Sequence, residues 1–183
     1  MSPDRQKSFS LPVTINKKFK NETSYGTLLT PMKHLSHFLF PEAVRLALDS
    51  EEAKASLEEL LQLLRHDTRV GDWAQFSQAI GERPPFPLCI HEEAAVIIYH
   101  ARTNAVHDLV MAAGRSSKGI FFEKRAGRAS LIFVIGIPHA LNNDYLRIMG
   151  SIARLCKDDA FLQNLLSLKT TEEFIKLLSQ EQP

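Results

Sequence analysis

The chain is poor in cysteine, in clustered glycine, in net charge and in long apolar runs. Two cysteines among 183 residues, Cys89 and Cys156, cannot make a disulfide framework, which points to a reducing compartment. The eight glycines are scattered, and none falls in a phosphate-cradling loop or a dinucleotide fingerprint, so nucleotide chemistry by those routes is excluded. Lys plus Arg is 22 against 21 Asp plus Glu, a net +1 without the basic excess of a nucleic-acid binder. The most apolar stretch, Leu131 to Pro138, is eight residues long, too short to cross a bilayer. The N-terminus opens on charged residues where a secretory signal needs an apolar run. A cytoplasmic protein with no membrane insertion is expected.

What is present is an average soluble composition, 44% apolar and 23% charged, with seven histidines. Its length suits one domain with a sizeable core. Residues 1 to 30 stand apart. Arg5, Lys7, Lys17, Lys18 and Lys20 against Asp4 and Glu22 give +3, which leaves −2 for the rest. The segment reads as a basic, loosely ordered arm, with one short strand at most, ahead of a domain over 31–183.

Within that domain both periods interleave. Met32, Leu35, Leu39 and Phe40 fall near helical spacing, and residues 42–49 alternate as a half-buried strand should. Ser50 is expected to cap a helix running to about Arg65, and Asp72 one that stops at Gly81. Pro84, Pro85 and Pro87 make a rigid extended connection. Residues 94–102, 108–116 and 129–138 are short, β-rich runs of the kind buried on both faces of a sheet, with a connection through Ala126-Gly127 between the last two. Asn142, Asn143 or Asp144 caps a helix expected to bury Leu146, Met149, Ile152 and Leu155. A further helix covers residues 160–168, and Thr170 with Glu173 forms the capping box of a last one. Helices before, between and after strands predict an α/β fold, a mixed β-sheet sandwiched by helices.

Few residues offer chemistry. His34-x-x-His37 and Cys89-x-His91 each lack the second pair a zinc site needs, so no metal and no cofactor is expected. No Ser or Cys sits in a nucleophile elbow. His100 ends an apolar run, and two positions later Arg102 shares its face if the strand extends that far. An imidazole with a guanidinium beside it suits a phosphoryl group. The plain alternative is a structural imidazole bonded to backbone.

Residues Ile97-Ile98-Tyr99-His100-Ala101-Arg102, followed by the strand Leu109 to Arg115, resemble the histidine segment of enzyme IIA domains of the bacterial phosphotransferase system, fructose/mannitol class. That class includes the nitrogen-regulatory enzyme IIA proteins. The resemblance runs in order through Leu131–Ile137, Tyr145–Cys156 and Thr171–Leu178, roughly residues 35 to 180. It implies the enzyme IIA fold and a phosphocarrier that takes a phosphoryl group on His100 from an HPr-like phosphocarrier protein. The group then passes to an enzyme IIB domain or serves as a regulatory signal. Without a transporter segment or a fused IIB domain in the sequence, the nitrogen-type regulatory form is favoured. The resemblance also implies that Arg83, from the pair Glu82-Arg83, lies near the phosphate, with Arg102 as a second cation. Tyr145 stands where the family has its second active-site histidine, Tyr99 replaces a proline, and Glu92-Glu93-Ala94-Ala95 replaces a glycine-rich approach. His139, six residues before Tyr145, is the candidate to face His100 in its place. The competing expectation is a degenerate enzyme IIA-like fold acting as a non-catalytic regulatory or protein-interaction module.

Overall fold

The structure is a computed structural model that describes residues 35–91, 94–122 and 127–180. The basic arm expected over 1–30, the pair Glu92-Glu93 and Ala126 of the expected turn lie outside the described residues.

Among the described residues five strands form one mixed sheet: β1 (Val44–Arg45), β2 (Phe86–Ile90), β3 (Ala95–Arg102), β4 (Val110–Phe122) and β5 (Gly127–Ile137). Their spatial order is β1-β4-β5-β3-β2, with β1 parallel to β4, β5 antiparallel to β4, β3 parallel to β5 and β2 antiparallel to β3. Residues Ala95 to Ile98 and Leu131 to Ile135 are fully or almost fully buried, as their continuous apolar runs require of central strands. The expected mixed sheet with helices packed against it is therefore the architecture observed.

Among the described residues five α-helices accompany the sheet: α1 (Ala53–Leu63), α2 (Trp73–Gly81), α3 (Asn142–Lys157), α4 (Asp159–Ser167) and α5 (Thr171–Leu178). Local caps set several of their starts. Asp72, Asp158 and Thr170 each accept a hydrogen bond from the backbone N–H three residues on, at Gln75, Phe161 and Glu173. Ser50 does not cap α1 itself. Its Oγ accepts from the Glu52 N–H, and Glu52 occupies the cap position without a side-chain bond.

Four further expectations are corrected. Residues 42–49 hold only the two-residue β1, because Pro41–Ala43 forms a 3₁₀ turn and the pairing to Ala113 and Gly114 ends at Arg45. The helical spacing after Pro31 yields one short 3₁₀ turn, Leu35–His37, among the described residues. The proline-rich connection becomes the edge strand β2. An edge tolerates Pro87 because it supplies no N–H, and the register shifts between Pro87 and Cys89. In α3 the buried face is Ile148, Ile152, Leu155 and Cys156, whereas Leu146 is 57% exposed.

The sheet and α2 meet at Gly136 of β5. A Cβ built there would lie 2.5 Å from Phe76 Cε2 and 2.8 Å from Val110 Cγ2, so only glycine lets the helix sit this close. Gly136→Ala is expected to lower stability by about 1–3 kcal/mol, the usual effect of overpacking, read as a lower urea midpoint at unchanged slope.

Candidate functional site

Parallel pairing of β3 and β5 brings the C-terminal ends of both strands to one side of the sheet. Opposite His100 on β5 is Ile135, and opposite Arg102 is Ile137. Period 2 along β3 places His100 and Arg102 on one face, as the sequence predicts. Beyond the last pair, the Thr103 N–H still donates to the Ile137 carbonyl at 2.9 Å. Thr103 Oγ1 accepts from the Ala105 N–H at 3.1 Å, which fixes the turn leaving β3.

His100 is half-buried, and its Nδ1 is sealed from solvent without a hydrogen-bond partner. Its ring stacks on that of Tyr145, with centroids 5.5 Å apart and planes 28° from parallel. Burial holds the imidazole below the ordinary histidine range, and the Arg83 charge pushes it the same way. At neutral pH the ring is therefore uncharged and retains a nucleophilic lone pair. Because Nδ1 is closed off, Nε2 is the nitrogen left to meet an incoming group.

Tyr145 lies in the first turns of α3, whose N-cap residue, Leu141, offers no side-chain cap. Backbone N–H groups at such an end lack intrahelical partners and favour anions. Desolvation raises the Tyr145 phenol, while the charges of Arg83 and Arg102 lower it. Arg83 comes from the segment between α2 and β2, where its N–H donates to the Ile80 carbonyl at 3.3 Å, and its side chain is exposed. Arg102, the last residue of β3, is exposed as well. Four of the five site residues singled out in the sequence thus act on one another: His100, Tyr145, Arg83 and Arg102. His139 opens the 3₁₀ turn His139–Leu141 after β5 and is exposed. Among the described residues no hydrogen bond or ring contact joins it to His100.

Sequence reasoning missed an apolar rim. Leu146, next to Tyr145, and Phe86, which pairs with Ile98 two residues before His100, are 57% and 48% exposed. Ile148 and Ile152 already complete the buried stripe of α3 without Leu146, and that was the available signal.

The mixed sheet in the order β1-β4-β5-β3-β2, with helices packed against it, is a fold already known from solved structures. The fold matches the nitrogen regulatory protein IIA-Ntr from Neisseria meningitidis with a TM-score of 0.69, 20% identity, and coverage of 79% of this chain and 98% of that one. It also matches the mannitol IIA from Escherichia coli with a TM-score of 0.61, 19% identity, and coverage of 75% and 96%. Residues 37–181 match the family described as "Phosphoenolpyruvate-dependent sugar phosphotransferase system, EIIA 2", and the chain belongs to that family. A fructose-specific EIIABC component from Bacillus subtilis is 24% identical over 147 residues, 80% of this chain and 23% of that protein. A fructose-specific EIIA component from Haloferax volcanii is 30% identical over 84 residues, 45% of this chain and 54% of its own length. The chain thus spans about a quarter and about half of these two relatives. No helix among the described residues is long and apolar enough to cross a membrane.

Proposed function

We propose that the protein is a phosphocarrier that accepts a phosphoryl group on His100 Nε2 from the phosphohistidine of an HPr-type protein. The observation that carries this reading is the half-buried His100, its Nδ1 sealed and its ring stacked on Tyr145, with the Arg83 charge acting on both rings and the Arg102 charge on Tyr145. Phosphoryl transfer needs an in-line nucleophile and positive charge or donors at the equatorial oxygens. The β3 backbone and the Tyr145 ring hold the imidazole, the two guanidinium groups supply the charge, and the uncapped start of α3 supplies further donors. In the step, Nε2 forms the new N–P bond as the donor histidine's N–P bond breaks, and the donor imidazole leaves with the electron pair. Tyr145 positions the ring without adding a charge, and His139 is proposed as a rim residue that meets the incoming partner.

The phosphoryl group then serves sugar transport or its regulation, and the nitrogen-type regulatory setting is the one we propose. A complex of mannitol enzyme IIA with phosphorylated enzyme IIB from Escherichia coli shares this fold, at 16% identity and a TM-score of 0.56. An enzyme IIB domain is accordingly the acceptor to test, and rapid onward transfer to one argues for the transport setting.

The test is incubation with phosphoenolpyruvate, enzyme I and an HPr-type carrier. The expected product carries an acid-labile, alkali-stable mass increase of about 80 Da, one phosphoryl group on a histidine nucleophile. A protein that binds the carrier and stays unlabelled is instead a non-catalytic interaction module.

The rate has a definite pH dependence. Acceptance requires the uncharged ring, whose protonation lies below the ordinary value of 6.5. The acid limb of the rate profile is therefore expected below that value, with no loss of rate between there and neutrality. Arg83→Gln removes one of the two causes of the shift, so the limb moves to higher pH while the plateau falls.

A further inference from the structure

Away from His100, a second group of reactive side chains gathers at the C-terminal end of α3. Cys89 and His91 project from the end of β2 toward the last turn of α3. There Cys89 Sγ donates to the Cys156 carbonyl at 3.2 Å, and His91 Nε2 lies 2.6 Å from the same oxygen. His91 Nδ1 is 3.6 Å from Asp159 Oδ1 at the start of α4. The carbonyls at a helix end lack intrahelical donors and favour a cation beside them. That hydrogen bond, foremost, raises His91, with Cys89 and Asp159 acting in the same sense. The two thiols also act on each other directly. The Cys156 thiol, foremost, holds Cys89 below the usual thiol range, with the His91 charge acting in the same sense, and Cys89 together with burial raises Cys156. Cys89 is half-buried on an edge strand, and Cys156 is fully buried behind it.

We propose that Cys89 and Cys156 are a peroxide-responsive thiol pair, with Cys89 the sulfur attacked first, Cys156 the resolving thiol and His91 the proton donor. The co-reactant is a hydroperoxide. Cys89 passes its thiol proton to His91, and the resulting thiolate attacks the peroxide, an S–O bond forming as the O–O bond breaks. The leaving hydroxide takes the His91 proton and departs as water. Cys156 sulfur then attacks the Cys89 sulfenic acid, an S–S bond forms and the S–O bond breaks. The second hydroxide leaves as water with the Cys156 thiol proton. The pair has lost two hydrogens, and hydrogen peroxide has become two waters. The bond joins the edge strand to α3, 67 residues apart in sequence, and reverses with a dithiol. It does not depend on phosphorylation of His100.

Hydrogen peroxide on the reduced, folded protein tests this by intact mass and peptide mapping. The expected product is a monomer about 2 Da lighter, its Cys89 and Cys156 peptides linked and both thiols closed to maleimide until dithiothreitol is added. Cys156→Ser stops at the sulfenic acid, and a dimedone adduct maps to Cys89. Cys89→Ser gives no dimedone adduct, and its circular dichroism, matching the parent, excludes unfolding as the cause. His91→Gln slows oxidation about tenfold at neutral pH. Thiols that still alkylate fully after peroxide, links found only between chains, or a dimedone adduct absent from Cys89 in Cys156→Ser would each overturn the proposal. An unchanged rate in His91→Gln would remove the role given to His91.

Discussion

His100→Ala is expected to accept no phosphoryl label from a phosphorylated HPr-type carrier, under conditions in which the parent protein is labelled to about one group per chain. The loss is complete because none of the groups acting on His100 among the described residues is a nucleophile of the same kind. Tyr145 is a phenol whose ionisation burial has made harder, and Arg83 and Arg102 carry no lone pair to offer. Folding should be little affected, because His100 makes no hydrogen bond through its buried Nδ1 and the variant relieves that orphan atom. Arg83→Gln is the graded companion. It leaves the nucleophile in place and removes a charge from the transferring oxygens, for a rate loss of about 10²-fold with the label still on histidine. Label surviving in His100→Ala would move the acceptor elsewhere and end the assignment, while label persisting on His139 alone would transfer it there.

The second large effect concerns stability. Arg115 on β4 donates from Nε to the Leu46 carbonyl at 2.8 Å and from one terminal nitrogen to the carbonyls of Leu166 and Leu168, each at 2.6 Å. Its own carbonyl accepts from the Leu48 N–H at 2.9 Å. One guanidinium therefore joins β4, the chain beyond β1 and the C-terminal end of α4. Burial lowers its affinity for a proton without displacing it from the charged state. Among the described residues it has no carboxylate partner, and the helix-end carbonyls take that place. Arg115→Met fills a similar volume and strands three acceptors. The expected loss is about 3 kcal/mol, at roughly 1 kcal/mol for each bond, measured as the shift in urea midpoint multiplied by the slope. Arg115→Lys should recover part of it, since an ammonium reaches one or two of the carbonyls. A midpoint unchanged in Arg115→Met would mean that water replaces the guanidinium without cost.

How much of this was legible in the sequence follows the range of the forces involved. Asp72, Asp158 and Thr170 stop or start helices through bonds spanning three residues, so α2, α4 and α5 could be read locally. The buried cores of β3 and β5 announce themselves as apolar runs. Residues 42–49 alternate without forming one strand, because Pro41–Ala43 turns as a 3₁₀ helix and the pairing with β4 ends at Arg45, neither of which alternation encodes. β2 was hidden by its own prolines, which bar a central strand and not an edge. At the site, His100 and Arg102 share a face by period alone. The stacking of Tyr145 and the reach of Arg83 are tertiary contacts between α3, β3 and the segment after α2, which spacing does not encode.

The two ends of the strand order have one more consequence. An open sheet exposes unpaired N–H and C=O groups along its outer strands, and a second chain can add there by strand pairing. Here one border is β1, only two residues long, and the other is β2, which carries Pro87 and a register shift. A short border offers too few bonds for an intruding strand, and a kinked, donor-deficient one breaks its ladder. The domain can therefore be held at high concentration without its sheets joining edge to edge along these two borders.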